Sequence, residues 1–252
     1  MPPVAVPPRL FLSGPLHAGP LELPAAAARH VQVLRMRPGA DLALFDGGGG
    51  EWRARLLGAG RVELLEHVAV ERESPQRVTL ALGMPANERM DWLVEKATEL
   101  GAAALQPLVT RRSVLRLSGE RAGRRVAHWQ GIAIAACEQC GRNRVPEIAP
   151  VREFAAWLTH LGRPLPGVQP ERRVLLSPDA APGAFAAPLA TMESALVLSG
   201  PEGGLSEAEE AMARDAGFVA ATLGPRVLRA DTAPLAALLR LTSPETMFPE
   251  AT

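Results

Sequence analysis

Two patterns of hydrophobic residues follow one another along the chain. Up to about residue 70, apolar and polar residues alternate in short runs between turn signals, and these runs predict β-strands over 40–45, 52–57 and 62–69. Asp46 and the glycines 47–50 join the first two runs, and glycine's tolerance of positive φ suits a hairpin. A phosphate-binding loop is a more specific interpretation of these glycines. Such a loop requires a helix directly after it, and no helix is predicted there. The pattern therefore predicts a small β-rich module.

From residue 78 onward, apolar runs alternate with segments of helical period. The pattern predicts strands over 78–83, 103–109, 174–177, 195–199 and 219–223, and helices over 88–100, 121–137, 205–216 and a last segment ending near 241. Strands that alternate with helices are typical of a parallel sheet covered on both faces. The predicted fold class of this part is therefore α/β.

The change of pattern predicts the domain organisation. The stretch 71–76 interrupts the pattern with Ser74-Pro75, and a chain of 252 residues is long enough for two cores. We therefore predict two domains, residues 1–74 and residues 75–252. Inside the second domain, 163–170 is rich in proline and glycine and is predicted to be a surface loop.

Composition excludes several classes of protein. No apolar run reaches the ~18 residues of a membrane span, and the first ten residues lack the features of a secretory signal, so a cytoplasmic protein is expected. Cys137 and Cys140 are too few for a disulfide framework or a four-cysteine zinc site. Their C-x-x-C spacing fits redox chemistry, but their position late in a predicted helix argues against it. The histidines show no metal-ligand spacing, so no metal is expected.

The charge is distributed unevenly, although the formal net charge is zero. Residues 111–144 contain eight arginines and two acids, which indicates a phosphate-binding surface. A solvated helix face is the alternative, because the chain uses arginine almost exclusively and has Lys96 as its one lysine. The first 73 residues carry eight arginines and eight acids, so an RNA contact there must be a local patch.

Two loops carry the most specific motifs. Residues 198–204 (LSGPEGG) join a buried strand to a helix whose start, Ser206-Glu207-Ala208-Glu209, fits a capping box. Such a loop exposes backbone amides at the carboxyl end of a strand, where open α/β sheets bind ligands. Its spacing matches neither the dinucleotide nor the nucleoside-triphosphate glycine motif. The second loop, 223–233 (LGPRVLRADTA), precedes the last helix, where Asp231 or Thr232 fits as the N-cap.

Together, the two loops resemble those of the SPOUT methyltransferases, specifically the RsmE-type family that methylates N3 of a uridine in small-subunit ribosomal RNA. That family pairs a GPEGG loop with an LGxR[VI]LRx[ED]TA loop in the same order. Further matching segments extend the likeness over nearly the whole chain: 9–11, 29–30, 34–39, 95–101, 138–142 and 145–146. Two mild departures are Ala230-Asp231, where Thr-Glu is expected, and Cys140, where serine is common.

The resemblance implies both the fold and the cofactor. It implies a trefoil-knotted α/β methyltransferase domain that works as a homodimer, preceded by a small PUA-like β-barrel that binds RNA. The cofactor is S-adenosyl-L-methionine (SAM), bent in the knot, with its adenine enclosed by the backbone of 199–204 and 223–228. The expected SAM-binding residues are Leu198, Ser199, Gly200, Glu202, Gly203, Leu223, Gly224, Leu228 and Thr232.

The chemistry of the uracil ring points to the remaining candidates. The N3–H must lose its proton before the nitrogen attacks a methyl group, so the site needs a group that stabilises a uridinate, or a base. We expect Arg144 in the first role and Glu138 in the second, with a salt bridge to a neighbouring arginine as the alternative for Glu138. Arg226 and Arg229 either contact the SAM carboxylate or RNA, or hold their loop against the sheet. The predicted RNA contacts are Arg9, Arg29, Arg35, Arg37, Arg111 and Arg112.

Three other functions stay open from the sequence. A SPOUT methyltransferase for another RNA position shares the cofactor fold, which does not specify the acceptor. The second alternative is a non-catalytic RNA-binding factor of ribosome assembly, although the intact glycine loops argue against it. A Rossmann-type oxidoreductase lacks its glycine fingerprint. The expected partner is 16S ribosomal RNA, either free or in the small ribosomal subunit.

Overall fold

A computed structural model of the chain describes residues 7–58, 60–162, 172–180 and 193–243. The contacts within it form two compact units, which are described separately. The first unit contains the described residues up to Glu73 together with 134–145, and the second contains 74–133 and the described residues from Pro146 onward. The predicted loop at 163–170 lies outside the described residues. The predicted domain boundary after residue 74 stays a prediction.

A five-stranded sheet forms the centre of the first unit. Its elements are β1 (Arg9–Phe11), β2 (Gly19–Glu22), α1 (Ala25–Val33), β3 (Asp41–Phe45), β4 (Glu51–Gly58) and β5 (Arg61–Val68). The strand order is β1-β3-β4-β5-β2, with β1 parallel to β3 and the other pairs antiparallel. The glycine-rich segment joins β3 to β4, which confirms the predicted hairpin. Alternating residues of these strands form an apolar core that α1 also contacts.

A parallel sheet forms the second unit. Its elements are β6 (Arg77–Gly83), α2 (Asn87–Glu99), β7 (Ala104–Val109), α3 (Gly119–Cys140), β8 (Glu147–Ile148), β9 (Arg152–Glu153), α4 (Phe154–Leu161), β10 (Arg172–Leu176), β11 (Ser194–Ser199), α5 (Glu207–Asp215), β12 (Val219–Ala221) and α6 (Thr232–Thr242). The last seven residues of α3 belong to the first unit. The strand order is β12-β10-β11-β6-β7-β8, β9 pairs with β7, and each pairing in this sheet is parallel. The predicted α/β architecture is thus confirmed.

The strands of the second sheet are continuous apolar runs because the sheet is buried on both faces. Leu80, Leu175, Val197 and Leu198 are completely buried in β6, β10 and β11. Helix α6 packs against β6 and β11, and α4 packs against α5. Among the described helices, none combines the length and the apolarity that a bilayer crossing requires.

Local signals mark the end of α2 and the start of α5. Gly101 has φ +90° directly after α2, as expected for a glycine that ends a helix. Ser206 accepts a hydrogen bond from the Glu209 amide, and the Glu209 side chain accepts one from the Ser206 amide, which confirms the predicted capping box. Asp231 stands at the N-cap of α6, but neither it nor Thr232 caps the helix through its side chain. The Thr232 hydroxyl donates to the Asp231 carboxylate instead, at 3.3 Å.

Candidate active site

Three loops meet at the carboxyl edge of the parallel sheet. Strands β10, β11 and β12 are parallel, so the segments that follow them emerge on the same side. A cavity of about 340 Å³ lies there. Residues 176–179, 199–205, 221–223, 226–228 and 230 form most of its lining among the described residues. Its size is in the range of small-molecule sites, and it combines backbone of the glycine loop with leucine side chains and a few charged groups.

The loop after β11 needs its glycines for steric reasons. A Cβ on Gly200 would lie 2.8 Å from the carbonyl carbon of Gly204 and 2.8 Å from the amide nitrogen of Leu205. On the neighbouring strand, a Cβ on Gly83 would lie 2.6 Å from Cδ of Pro201. These distances are shorter than van der Waals contact, and the atoms approached are backbone or a rigid ring. The loop therefore folds back on itself and lies directly against β6 only because both positions are glycine.

Side chains from other loops hold the glycine loop in place. Arg112 donates from one guanidinium nitrogen to the carbonyl oxygens of Gly203 at 2.8 Å and Leu205 at 3.1 Å. Glu202 accepts a hydrogen bond from the Ala86 amide at 3.0 Å, just before α2. Glu202 also pairs with Arg89 at 3.4 Å. The loop is thus fixed before any ligand arrives.

Glu209 links this loop to the segment after β7. Its buried carboxylate accepts hydrogen bonds from the amide and hydroxyl of Ser206, both at 2.9 Å, and from the Arg111 amide at 2.7 Å. The two Ser206 bonds are buried, and the bond from the Arg111 amide is partly buried. The carboxylate therefore ties the start of α5 to the segment that carries Arg112.

We expect Glu209→Ala to lower the free energy of unfolding by about 2–4 kcal/mol, because it removes the acceptor of the buried Ser206 amide and hydroxyl and of the partly buried Arg111 amide. Ser206→Ala, which removes only the cap hydroxyl, should cost about 1 kcal/mol. Urea denaturation of both variants and the wild type measures the difference. Equal losses for the two variants would mean that the bonds from the Ser206 and Arg111 amides contribute nothing.

The structure brings six of the nine predicted SAM-binding residues together in the lining of the cavity. These six are Ser199, Gly200, Glu202, Gly203, Leu223 and Leu228. Leu198 is completely buried in β11, whereas Gly224 and Thr232 are exposed and do not line the cavity. Arg226 lines the cavity and Arg229 does not.

Sequence reasoning missed one of the three loops. Residues 176–179 follow β10, which lies between β11 and β12 in the sheet. The Ser177 amide donates to the carbonyl oxygen of Ala221 at 3.0 Å, so this loop is joined to the end of β12. Asp179 adds a carboxylate to the cavity lining, in which Arg112 and Arg226 supply positive charge. The one signal available was the Ser-Pro-Asp sequence directly after a predicted strand.

The predicted catalytic residues belong to the first unit. Arg144 is half exposed, and its Nε donates to Oε2 of Glu71 at 2.8 Å. Its two terminal nitrogens have no acceptor within the described parts of the chain. Gly49, with φ +105°, lies against this pair, because a Cβ there would be 2.5 Å from Nη2 of Arg144. The glycine-rich hairpin thus leaves room for an arginine held at one edge and free at the other.

Glu138 has partners other than an arginine. Its Oε1 accepts a hydrogen bond from the Phe11 amide at 2.9 Å, and its Oε2 lies 3.9 Å from Nδ1 of His30. The expected alternative, a salt bridge to a neighbouring arginine, does not occur among the described residues. The second carboxylate oxygen remains available as a proton acceptor.

Ion pairs hold the loop that carries Arg144. Arg142 pairs with Glu73, and Arg72, which pairs with Glu51 at 3.2 Å, also donates to the carbonyl oxygen of Gly141 at 2.9 Å. Burial by itself would raise the pKa of Glu51, but the hydrogen bonds and charges of Arg9 and Arg72 outweigh it and keep this pKa below its usual range. Glu51 therefore stays ionised and paired at neutral pH.

The two cysteines lie at the end of α3, as predicted, and the structure argues against redox chemistry. Burial raises the pKa of the Cys137 thiol to about 12. The thiol donates a hydrogen bond to the carbonyl oxygen of Arg144 at 3.6 Å. A protonated, buried thiol is a poor nucleophile, so Cys137 acts as a small packing residue.

Arg9 differs from the other predicted RNA contacts because its side chain is only 7% exposed. Its guanidinium pairs with Glu51 and donates to the carbonyl oxygen of Arg142 at 3.0 Å and to Oδ1 of Asn143 at 2.6 Å. It also lies over the ring of Phe45, 4.9 Å from the centroid. These contacts give Arg9 a structural role, and we leave it out of the proposed RNA contacts.

The remaining predicted RNA contacts are exposed. Arg29 lies in the middle of α1, and Arg35 and Arg37 follow its end. Arg111 is exposed after β7, and the neighbouring Arg112 forms part of the cavity wall. The exposed predicted RNA contacts therefore form two groups, one in the first unit and one in the second.

Comparison with known proteins identifies the family. The model of the RNA methyltransferase domain matches residues 72–242, and the model of the RNA methyltransferase PUA domain matches residues 23–65. The chain belongs to this RNA methyltransferase family. The matched region of the methyltransferase domain contains all three loops around the cavity.

Individual relatives agree with this assignment. Ribosomal RNA small subunit methyltransferase E of Synechocystis is 36% identical over 83% of this chain and 68% of its own length. The enzyme of the same name from Bacillus subtilis is 34% identical over 82% of this chain and 83% of its own. The crystal structure of the Neisseria gonorrhoeae enzyme, bound to S-adenosyl methionine, superposes with a TM-score of 0.84 at 36% identity, covering 96% of this chain and 98% of that one. The predicted SPOUT-type α/β domain preceded by a PUA-like domain is thus confirmed.

Proposed function

We propose that this protein transfers a methyl group from SAM to N3 of a uridine in 16S ribosomal RNA. The observation that carries the proposal is the preformed cavity at the carboxyl edge of the sheet, lined by the GPEGG loop in a chain of the RNA methyltransferase family. The names of the relatives and the SAM-bound Neisseria structure support the cofactor and the class of RNA.

The cavity fits SAM in its shape and its donor set. Backbone of the 199–204 loop and the side chains of Leu223 and Leu228 offer amides and apolar surface to an adenine ring. Arg112 and Arg226 offer positive charge to a carboxylate, and Asp179 offers negative charge to an amino group. Bound SAM supplies an electrophilic methyl group on a sulfonium sulfur.

The acceptor requires a second set of groups. Uracil N3 gains the methyl group and loses its proton, and we assign the proton to Glu138, whose Oε2 lies 3.9 Å from Nδ1 of His30. The negative charge that develops on the ring spreads to its carbonyl oxygens. We assign its stabilisation to the free terminal nitrogens of Arg144, while Glu71 positions the other edge of the guanidinium.

The proposal also covers the roles of the two domains, the oligomeric state and the location of the protein. We propose that residues 1–74 form the domain that contacts RNA, that residues 75–252 form the methyltransferase domain, and that two chains associate as a homodimer in the cytoplasm. The exposed Arg29, Arg35, Arg37 and Arg111 are the proposed phosphate contacts. The family membership and the ribosomal substrates of the relatives support this assignment.

Incubation with labelled SAM and small ribosomal subunits from a strain that lacks this modification tests the function. We expect one N3-methyluridine per subunit by nucleoside mass spectrometry, and free 16S RNA in parallel identifies the preferred substrate. Light scattering tests the homodimer. SAM binding without any methylation would contradict the enzymatic proposal and favour an assembly factor, and a methyl group at another position would correct the acceptor.

A further inference from the structure

Helix α1 ends in two exposed aliphatic side chains. Val33 is 72% exposed and Leu34 is 44% exposed, whereas Val31 of the same helix is buried in the core of the first unit. Arg29 stands one helical turn before Val33, so the two side chains share a face of the helix. Arg35 and Arg37 follow directly. We call the five residues 29, 33, 34, 35 and 37 the α1 terminus patch.

The backbone of the patch is strained at an arginine. Arg35 has φ +53°, the one positive φ of a non-glycine residue among the described parts of the chain. The Arg35 amide donates to the Gln32 carbonyl at 2.9 Å, and the Met36 amide donates to the Val31 carbonyl at 3.2 Å. This is the helix ending in which glycine is the usual residue. An arginine therefore occupies a conformation that disfavours it, as residues at ligand clamps and active sites often do.

The arginines of the patch form no ion pair with any residue that the structure describes. Residues 23–40 contain three arginines, one histidine and no acid. None of the three arginines has an ion-pair partner within the described residues. In the same unit, by contrast, Arg53 and Arg55 pair with Glu66 and Asp41. The absence of acids is therefore a property of this patch and not of the domain.

We propose that the α1 terminus patch binds an unstacked base of an RNA loop, with Val33 and Leu34 against the face of the base and the arginines on the flanking phosphates. RNA loops present unstacked bases next to phosphates, and apolar side chains near basic ones insert between bases in protein–DNA complexes. A second copy of the patch is a poor occupant, because a symmetric contact would bring arginines against arginines. The proposal rests on the proposed function only in taking RNA as the partner.

Two RNA probes test this contact without any methyl transfer. One is a hairpin with a uridine-containing single-stranded loop, and the other is a fully paired duplex of equal length. Fluorescence anisotropy on the full chain gives the affinities between about 50 and about 200 mM salt. The variants are V33S/L34S, R29A/R35A and, as a matched control, L57S/L65S, whose leucines are 48% and 47% exposed in the same unit.

We expect V33S/L34S to bind the hairpin about tenfold more weakly, with the same salt dependence, and to bind the duplex as the wild type does. R29A/R35A should bind both probes more weakly. The slope of log affinity against log salt concentration should fall in magnitude by about one per arginine removed. The control should match the wild type. Unchanged hairpin binding by V33S/L34S would overturn the proposal, and so would loss of a dimer in that variant by light scattering, which would assign the patch to a second copy. Failure of the methylation assay alone would refute the proposed function and leave these affinities interpretable.

Discussion

Arg144→Ala is expected to reduce the rate of methyl transfer by about 100-fold to 1,000-fold while leaving SAM affinity unchanged. Removing a single group that stabilises a developing negative charge typically has this effect. The side chain is well suited to that role, because Glu71 holds its Nε edge at 2.8 Å and its terminal nitrogens have no acceptor in the described chain. Single-turnover rates on small ribosomal subunits, with calorimetry for SAM, measure both quantities.

The pH dependence separates charge stabilisation from simple loss of structure. Without the guanidinium, the rate depends on the fraction of uracil that is ionised at N3 in the absence of a stabilising charge. The rate of this variant should therefore continue to rise with pH beyond the pH at which the wild-type rate levels off. Arg53→Ala is the matched control, because Arg53 is an exposed arginine of the same unit paired with Glu66 at 3.2 Å. Glu138→Gln should also slow the reaction. Near-normal rates for both Arg144→Ala and Glu138→Gln would refute the catalytic assignment.

Glu71 offers a finer test of how Arg144 is positioned. Glu71→Gln keeps an acceptor for Nε and should retain most of the rate, whereas Glu71→Ala should lose about tenfold with little change in KM. Equal rates for these two variants would mean that Glu71 does not position the guanidinium.

The alternating pattern of residues predicted most of the second unit. The pattern predicts helix α3 over 121–137, and it spans Gly119–Cys140; strands β6, β7, β10, β11 and β12 fall close to the apolar runs that indicate them. The pattern missed β8 and β9, which have only two residues each and carry no periodic signal. It also missed α1, whose start at Pro24 has no side-chain cap to mark it.

The candidate site was predictable where it is local in sequence and not where it depends on distant contacts. The glycine motifs identified two loops of the cavity, but the third became apparent only from the position of β10 between β11 and β12. Arg9 was expected to contact RNA, yet Glu51 and Asn143, which lie 42 and 134 residues away, bind its guanidinium. An arginine that is exposed and one that is buried in an ion pair look identical in a sequence.

Gly200→Ala is expected to weaken SAM binding by about tenfold to 100-fold, since it displaces backbone that we propose as part of the cofactor site. The added methyl group would lie 2.8 Å from backbone atoms of Gly204 and Leu205, and neither can move without opening the loop. Gly83→Ala should act in the same direction from the neighbouring strand, because its Cβ would lie 2.6 Å from Cδ of Pro201. Calorimetric titration with SAM measures both affinities.

The matched control is Gly131→Ala, a glycine inside α3 whose Cβ would meet no atom within 4 Å. Alanine is the better helix former by about 1 kcal/mol, so this variant should be at least as stable as the wild type and bind SAM equally well. Thermal unfolding in the absence of SAM separates a loop that has moved from a domain that has unfolded. A folded Gly200→Ala protein with wild-type SAM affinity would show that SAM binding does not depend on the close approach of residue 200 to the backbone of Gly204 and Leu205. The proposed SAM site would then have to be assigned to the loops after β10 and β12.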